Sequence, residues 1–379
     1  MLTPYDDYPI HQTPLPIAHP ATAAADHYDR YFFNGHDADA GVFFAAAMGH
    51  YPNRGVIDAA FSVIVDGVQH SVFASGRMPL DRSTDVGPIE VEVLEPLRSL
   101  RIAVDDNDTG LTADVVFDAR TAAIEEPRQS IDRDGVLVMD YTRLTQWGNW
   151  TGTISVAGQT LAVEPATFAG TRDRSWGVRP VGEPAPANHP PRLPALFWLW
   201  APLHFAEHCT HLALFEHANG DRWMQSGLDV PVLAPGRPTH GPDAAPATTM
   251  DTADYDLRWK PGTREVEHAA IALASHEGMT RAIDLEPLFT FRMRGVGYTH
   301  PHFKHGSNHG ELEVGGESLV LADIDPLDPS SIHIQTVCRA HLGAEVGVGI
   351  LEQLAFGPHD PTGLTGIVDG YAPHGEPEG

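Results

Sequence analysis

FSVIVDGVQHSVF, residues 61–73, is two runs of β-branched and aromatic residues around Asp66-Gly67. An Asp-Gly pair between alternating apolar runs is a signal for a two-residue hairpin, because such turns need positive φ at both central positions. The same grammar recurs along the chain. LRIAVDDNDTGLTADVVF (100–117) turns at DNDTG, TGTISVAGQTLAV (151–163) at Ala157-Gly158, and LALFEHANGDRWM (212–224) at Asn219-Gly220. GELEVGGESLVL (310–321) reads as a further hairpin turning at Gly315-Gly316. Convincing helices are few, and HAAIALASH (268–276) is the one short candidate. Many short strands with frequent turns predict an all-β fold of sandwiches or barrels.

The length, 379 residues, suggests more than one domain-sized unit. Hydrophobic residues make up 42%, enough for a sizeable core. A formal net charge of −27 repels polyanions, which argues against nucleic acid as a partner and against anionic membranes. No apolar run approaches the ~18–20 residues of a membrane span, and the N-terminus lacks the pattern of a signal peptide. A cytoplasmic protein is expected. Cys209 and Cys338 make neither a disulfide framework nor a zinc ribbon. The sequence carries no Gly-rich phosphate loop, no dinucleotide fingerprint and no G-x-S-x-G elbow.

Two Pro-rich stretches punctuate the chain. Residues 181–194 form one; residues 230–249, the other, read as an inter-domain linker. The expected units are an N-terminal barrel over 25–230, a C-terminal barrel over 250–357 and a loosely ordered tail over 358–379. WGNWTGTISVAGQTLAV (147–163) echoes HGSNHGELEVGGESLVL (305–321), which raises the prospect of a duplication.

Five segments carry chemistry. GTRDRSWGVRP (170–180) sets Asp173 between Arg172 and Arg174, with Trp176 behind. Burial would raise its carboxyl pKa and flanking guanidinium groups would lower it, and either makes a proton-transfer candidate. The same residues also suit a surface turn. GYTHPHFKHGSNHGELE (297–313) holds Tyr298, His300, His302, His305 and His309. Imidazoles suit proton transfer near neutral pH, and a metal site or a plain polar loop are the alternatives. In FWLWAPLHFAEHCTHLALFEH (197–217), alternation puts Phe197, Leu199 and Ala201 on one strand face and Trp198 and Trp200 on the other. The second face suits a cavity lining or ordinary packing. Tyr51, Asn53 and Arg54 lie in a turn before a strand, placed to orient a substrate or to cap a loop. SIHIQTVCRAHLGAEVGVGILEQLAFG (331–357) puts His333 and Gln335 on one face, with Glu352 in the closing strand.

GTRDRSWG resembles the G-x-x-D-H-x-W-G signature of the carotenoid 1,2-hydratase and AttH-like superfamily. The Tyr-Pro-Asn-Arg turn and the Gly-Tyr-Thr-His-Pro segment are similar to a branch of it. The resemblance runs from about residue 25 to 357. It implies two lipocalin-like antiparallel β-barrels or sandwiches in tandem and a hydrophobic isoprenoid, polycyclic or aromatic substrate. It also implies hydratase or cyclase relatives that need no organic cofactor. Asp173 matches the signature's acid, and Trp176 and Gly177 its Trp-Gly; Arg174 departs from the usual His. The expectation is a cofactor-independent lyase of the hydratase/dehydratase type, or an isomerase. Asp173, His300 and His305 would be its catalytic groups. Trp176, Arg172, Tyr51, Asn53, Arg54, Trp198, Trp200, Tyr298, His302 and His309 would bind the substrate, with no metal and no cofactor. The alternatives are a non-catalytic lipocalin-like binder of a hydrophobic ligand and a histidine-based metal-dependent lyase or hydrolase. A homodimer stays open.

Overall fold

A computed structural model of the chain describes residues 2–133, 135–182 and 195–372. It is all-β: two antiparallel sheets, the first curled into a nearly closed barrel and the second into a half-barrel. The tandem lipocalin-like architecture expected from the sequence is the one observed.

The first sheet has fourteen strands. Its spine runs from Val68–Arg77 through Val56–Val65, Val42–Tyr51 and His27–Asp37 to the motif strand Ala169–Val178. From there it continues through Val136–Val156, Thr112–Ala119 and Ser99–Val104 to Ile89–Glu95. The Asp66-Gly67 hairpin forms as read, with φ of 50° and 75°, and so does Ala157-Gly158. The second sheet has nine strands. Leu196–His204, His208–Glu216 and Arg222–Pro231 lie on one side, and Glu345–Phe356, Ile334–Leu342, Thr280–Arg292, Val266–Ala274 and Thr252–Trp259 continue it.

Several expectations change. Gly315-Gly316 is no turn. Residues Leu312–Val320 run on as one strand, antiparallel to Val68–Arg77, at the edge of the first sheet. The echo of 147–163 in 305–321 therefore does not reflect a shared hairpin. Residues 266–274 are a strand, because Ala269, Ile271 and Leu273 alternate into the second core and both neighbours pair with them. The sheets divide between Val178 and Leu196, earlier than the expected boundary near 230. The Pro-rich segment after Pro231 stays beside the second sheet and docks on the first through Leu233 N–H to Arg120 O and Ala123 N–H to Thr239 O. The Pro-rich residues 183–194 lie outside the described residues. Of the loose tail expected over 358–379, residues 358–372 are tied down, and 373–379 lie outside the described residues. Arg264 is 2% exposed and donates to the carbonyls of Ala355, Gly357, Gly366 and Asp369, stapling them to the second sheet.

Three apolar clusters hold the halves together. Phe33, Phe44, Phe61, Phe117 and Trp150 fill the first barrel. Phe197, Leu199, Leu212, Leu285 and Leu351 fill the second. The outer face of the first barrel, with Phe32, Phe43, Ala47 and Phe73, packs on Phe291, Val337 and Ile350 of the second sheet and on Met293 just after it. Gly35 and Gly170, paired across two strands, let Trp150 lie flat on the backbone and donate to Asn34 O at 2.8 Å, and Gly148 beside Gly170 makes room for Phe117. A Cβ on Gly170 would stand 2.1 Å from the indole nitrogen, so this position of the motif serves packing.

Candidate active site

Strand alternation splits the motif between two environments. Arg172 and Arg174 turn to the barrel face. Arg172 donates twice to Gln146 Oε1 (2.9 and 2.7 Å), and Arg174 lies 4.0 Å over the Tyr31 ring and 2.7 Å from Asp29. Trp176 follows on that face and is 41% exposed. Asp173, in register with Phe32 and Thr145, turns the other way, into the seam between the sheets. The flanking arginines and Trp176 therefore do not form its environment, as the sequence had suggested.

Asp173 keeps some accessible surface but makes no hydrogen bond and no ion pair among the described residues. Burial raises its pKa to about 6. Arg143 and Arg30 pull it down; Glu126 and Glu352 push it up. A carboxyl that titrates there, with its oxygens uncommitted, is ready to give or take a proton.

Around it stand three groups. On the first sheet, Glu126 pairs with Arg143, accepts from Thr145 Oγ1 at 2.5 Å and lies 3.2 Å from His211 Nε2. Burial alone would raise its carboxyl, but Arg143 and His211 hold it well below the usual range. Arg143 sits 4.9 Å over the ring of Trp198. On the second sheet, Glu352 receives hydrogen bonds from Trp198 Nε1 (2.9 Å) and Gln335 Nε2 (2.6 Å), and pairs with His333 Nε2 at 2.9 Å. Those bonds outweigh burial and keep Glu352 low, hence ionised. Gln335 in turn accepts from Asn34 Nδ2 at 3.1 Å, tying the two sheets directly. At the end of the seam, Tyr298 accepts from Arg30 Nη1 at 2.5 Å. Its ring meets His305 at 4.8 Å and His333 at 4.6 Å, both edge to face.

The expected site residues separate accordingly. Asp173, Tyr298, His305, Trp198 and Trp200 surround the seam. Trp200 Nε1 donates to Glu126 at 3.4 Å. His305 is buried 3.7 Å from Asp58; burial, then Arg30, lowers its pKa to about 4, so it stays neutral. That makes it a weak base. His300 is committed to its loop: Nδ1 accepts the N–H groups of His302 (3.0 Å) and Phe303 (2.8 Å), and the ring packs on Phe73. Tyr51 is buried and donates to Asp58. Asn53 holds the carbonyls of Thr22 and Ala24, and Arg54 pairs with Asp26, so both fasten the N-terminal segment. His302 and His309 share Glu313 at 2.8 Å each. These three bring ligand-type atoms within 4.8 Å of one another, where the sequence expected no metal. None of them contacts Asp173. A surface groove of about 860 Å³ lies by Asp105, Asp106 and Glu317 and holds none of the seam groups.

Sequence reasoning missed Arg30, Glu126, Arg143 and Arg179. It noted His333, Gln335 and Glu352 as a mixed polar face without assigning them. Alternation in 331–357 was the available signal for those; nothing local marks the arginines.

Residues 2–365 match a family described as a family of unknown function, DUF8625. The chain belongs to this family. No curated protein matches it. A putative AttH from Nitrosomonas europaea is 11% identical, over 90% of this chain and 99% of that one, with a TM-score of 0.51. The crystal structure of CghA is 11% identical, over 91% and 95%, with a TM-score of 0.50. Kievitone hydratase from Nectria haematococca is 13% identical, over 86% and 88%, at 0.48. At such identities the likeness concerns the fold alone, which this chain shares with the putative AttH and CghA. Among the described residues, no helix is long and apolar enough to cross a membrane.

Proposed function

We propose that the protein is a cofactor-independent lyase of the hydratase/dehydratase type, or an isomerase. It would act by acid–base proton transfer on a hydrophobic isoprenoid, polycyclic or aromatic molecule. One observation carries this reading: Asp173, raised to about 6 and free of hydrogen bonds, faces a seam that also holds the Glu352–His333 pair. In the hydration direction Asp173 gives its proton to one carbon of a double bond. The new C–H bond leaves positive charge on the neighbouring carbon, which the Asp173 and Glu352 carboxylates stabilise. Water adds to that carbon, and His333, oriented by Glu352, takes the proton the water loses. Returning that proton to Asp173 resets the site; dehydration runs the same steps backwards. Arg143 stays locked on Glu126 and keeps Asp173 ionisable without pairing with it. Positioned acid and base groups contribute roughly 10²–10⁴-fold each.

The test is turnover of linear isoprenoids, prenylated phenols and conjugated polyenes in H₂¹⁸O and in D₂O, followed by mass spectrometry. Incorporation of one solvent oxygen or deuterium that vanishes in Asp173→Asn supports the reading. Conversion that survives unchanged in that variant sinks it, and a ligand bound without any conversion favours a binding protein.

A further inference from the structure

At one end of the seam two arginines have no anionic partner among the described residues. Arg30 is 1% exposed. Its Nη1 donates to Tyr298, but Nε and Nη2 are buried with no hydrogen-bond partner. Arg179 follows the motif strand and lies 4.6 Å over the Tyr28 ring and 5.8 Å from that of Tyr298. Among the described residues it forms no ion pair with a carboxylate, and the groups acting on it are Tyr28, Tyr298, Tyr51 and Tyr141. Asp58 is engaged by Tyr51 and the Gly306 N–H, and Asp173 makes no ion pair with Arg30. A buried guanidinium with unmet donors is costly, and its planar fork matches a carboxylate or a delocalised oxyanion. The partly accessible Tyr298 ring beside it offers flat apolar surface for the molecule carrying that charge.

We propose that Arg30 and Arg179, with Tyr298 beside them, bind an oxyanion of the substrate: a carboxylate, or an ionised enol or phenol, on a flat unsaturated body. This rests on the catalytic reading, because an anion held here lays the body along the seam toward Asp173. It also narrows the substrate class, since a purely hydrocarbon molecule would leave both arginines unmatched.

Calorimetric titration of the full chain at pH 7.5 tests it with flat probes of similar size. These are 2-naphthoate, 2,4-dinitro-1-naphtholate and the neutral 2-naphthamide. At least one anion is expected to bind tenfold or more tighter than the amide. A preference confined to naphthoate assigns a carboxylate, and one confined to the naphtholate assigns an enol or phenol. Arg179→Gln, on a half-exposed residue, is expected to remove most of that preference, as is Arg30→Gln where it folds. Asp173→Asn, which takes away a nearby negative charge, is expected to strengthen anion binding. Equal affinities for anions and amide, no anion binding up to millimolar concentration, or a preference unchanged in Arg179→Gln would overturn the proposal. None of these probes needs to react. Absence of any anion preference in the parent protein, or one unchanged in Arg179→Gln, therefore counts against the anion subsite alone, whereas turnover that survives Asp173→Asn counts against the catalytic reading alone.

Discussion

The interior of the first barrel and the seam outside it are lined by the same strands, one on each face, and could hardly differ more. Inside, Phe33, Phe44, Phe117 and Trp150 interlock, with ring centroids around Trp150 at 5.0–5.9 Å. Outside, the same sheet turns Asp173, Arg30, Arg143 and Asn34 toward the seam. A lipocalin-like barrel usually offers its interior to a ligand. Here packing occupies that interior, and the titratable groups collect where the barrel meets the second sheet. Two sheets that meet face to face can bring an acid from one and a carboxylate–imidazole pair from the other within reach, which a single closed barrel of this size has no room to do.

The sharpest way to break this contrast is to exchange roles across it. Asp173→Asn is expected to cut turnover by about 10²–10⁴-fold while leaving the fold intact. If Asp173 donates the proton, kcat/KM should fall as pH rises through about 6; a rise instead would make it the base. Trp150→Ala, on the opposite face, should cost about 3–5 kcal/mol in chemical denaturation through cavity formation. A turnover loss as large as that of Asp173→Asn in folded Trp150→Ala protein would erase the distinction. Next comes acid lability. His36 and His204 stack edge to face at 6.1 Å between the sheets. Burial lowers His36 to about 4 and holds His204 well below the ordinary imidazole value. Their folded values lie below the ordinary 6.5, so the stability they support is present above 6.5 and lost as pH falls toward 4. His36 is expected to cost about 2 kcal/mol between pH 7 and pH 5. Melting curves of a His36→Gln/His204→Gln double variant should show a flatter pH dependence.

Asp173 behaves with the opposite sign. Its folded pKa is raised, so the stability linked to its proton is present below about 4 and lost as pH rises through about 6. Asp173→Asn should therefore gain roughly 2 kcal/mol over the parent at pH 8 and little at pH 4. The smallest expected effect belongs to Arg174→Ala. Its partly exposed pair with Asp29 should contribute no more than about 1 kcal/mol, with turnover changed less than threefold. A large turnover loss there would mean that the barrel face, not the seam, holds the chemistry.

Much of the fold was legible because hairpin turns are local. Asp66-Gly67 and Ala157-Gly158 need only their own backbone angles. What failed was non-local. Gly315-Gly316 looks like a turn until Val68–Arg77 supplies a partner for residues on both sides of it, and His268–Ala274 looks helical until two strands flank it. At the site, the sequence pointed to Asp173 but surrounded it with its chain neighbours Arg172, Arg174 and Trp176. In a strand, neighbours in sequence face opposite sides, and the groups that set the Asp173 environment come from residues 30, 126, 143 and 352. His300 illustrates the same limit: only the loop that folds back on its Nδ1 reveals that its lone pair is taken.

The strand Leu312–Val320 has one more consequence, for the order in which the molecule is made. It is synthesised after most of the second sheet, yet it covers the free edge of Val68–Arg77 in the first. A ribosome that has released residues 1–200 has therefore delivered a barrel with one bare edge, and such edges invite pairing with other chains. Fragments ending before residue 312 should aggregate even though they hold nearly all of the first barrel. Adding a separate peptide that spans 310–321 should suppress that aggregation.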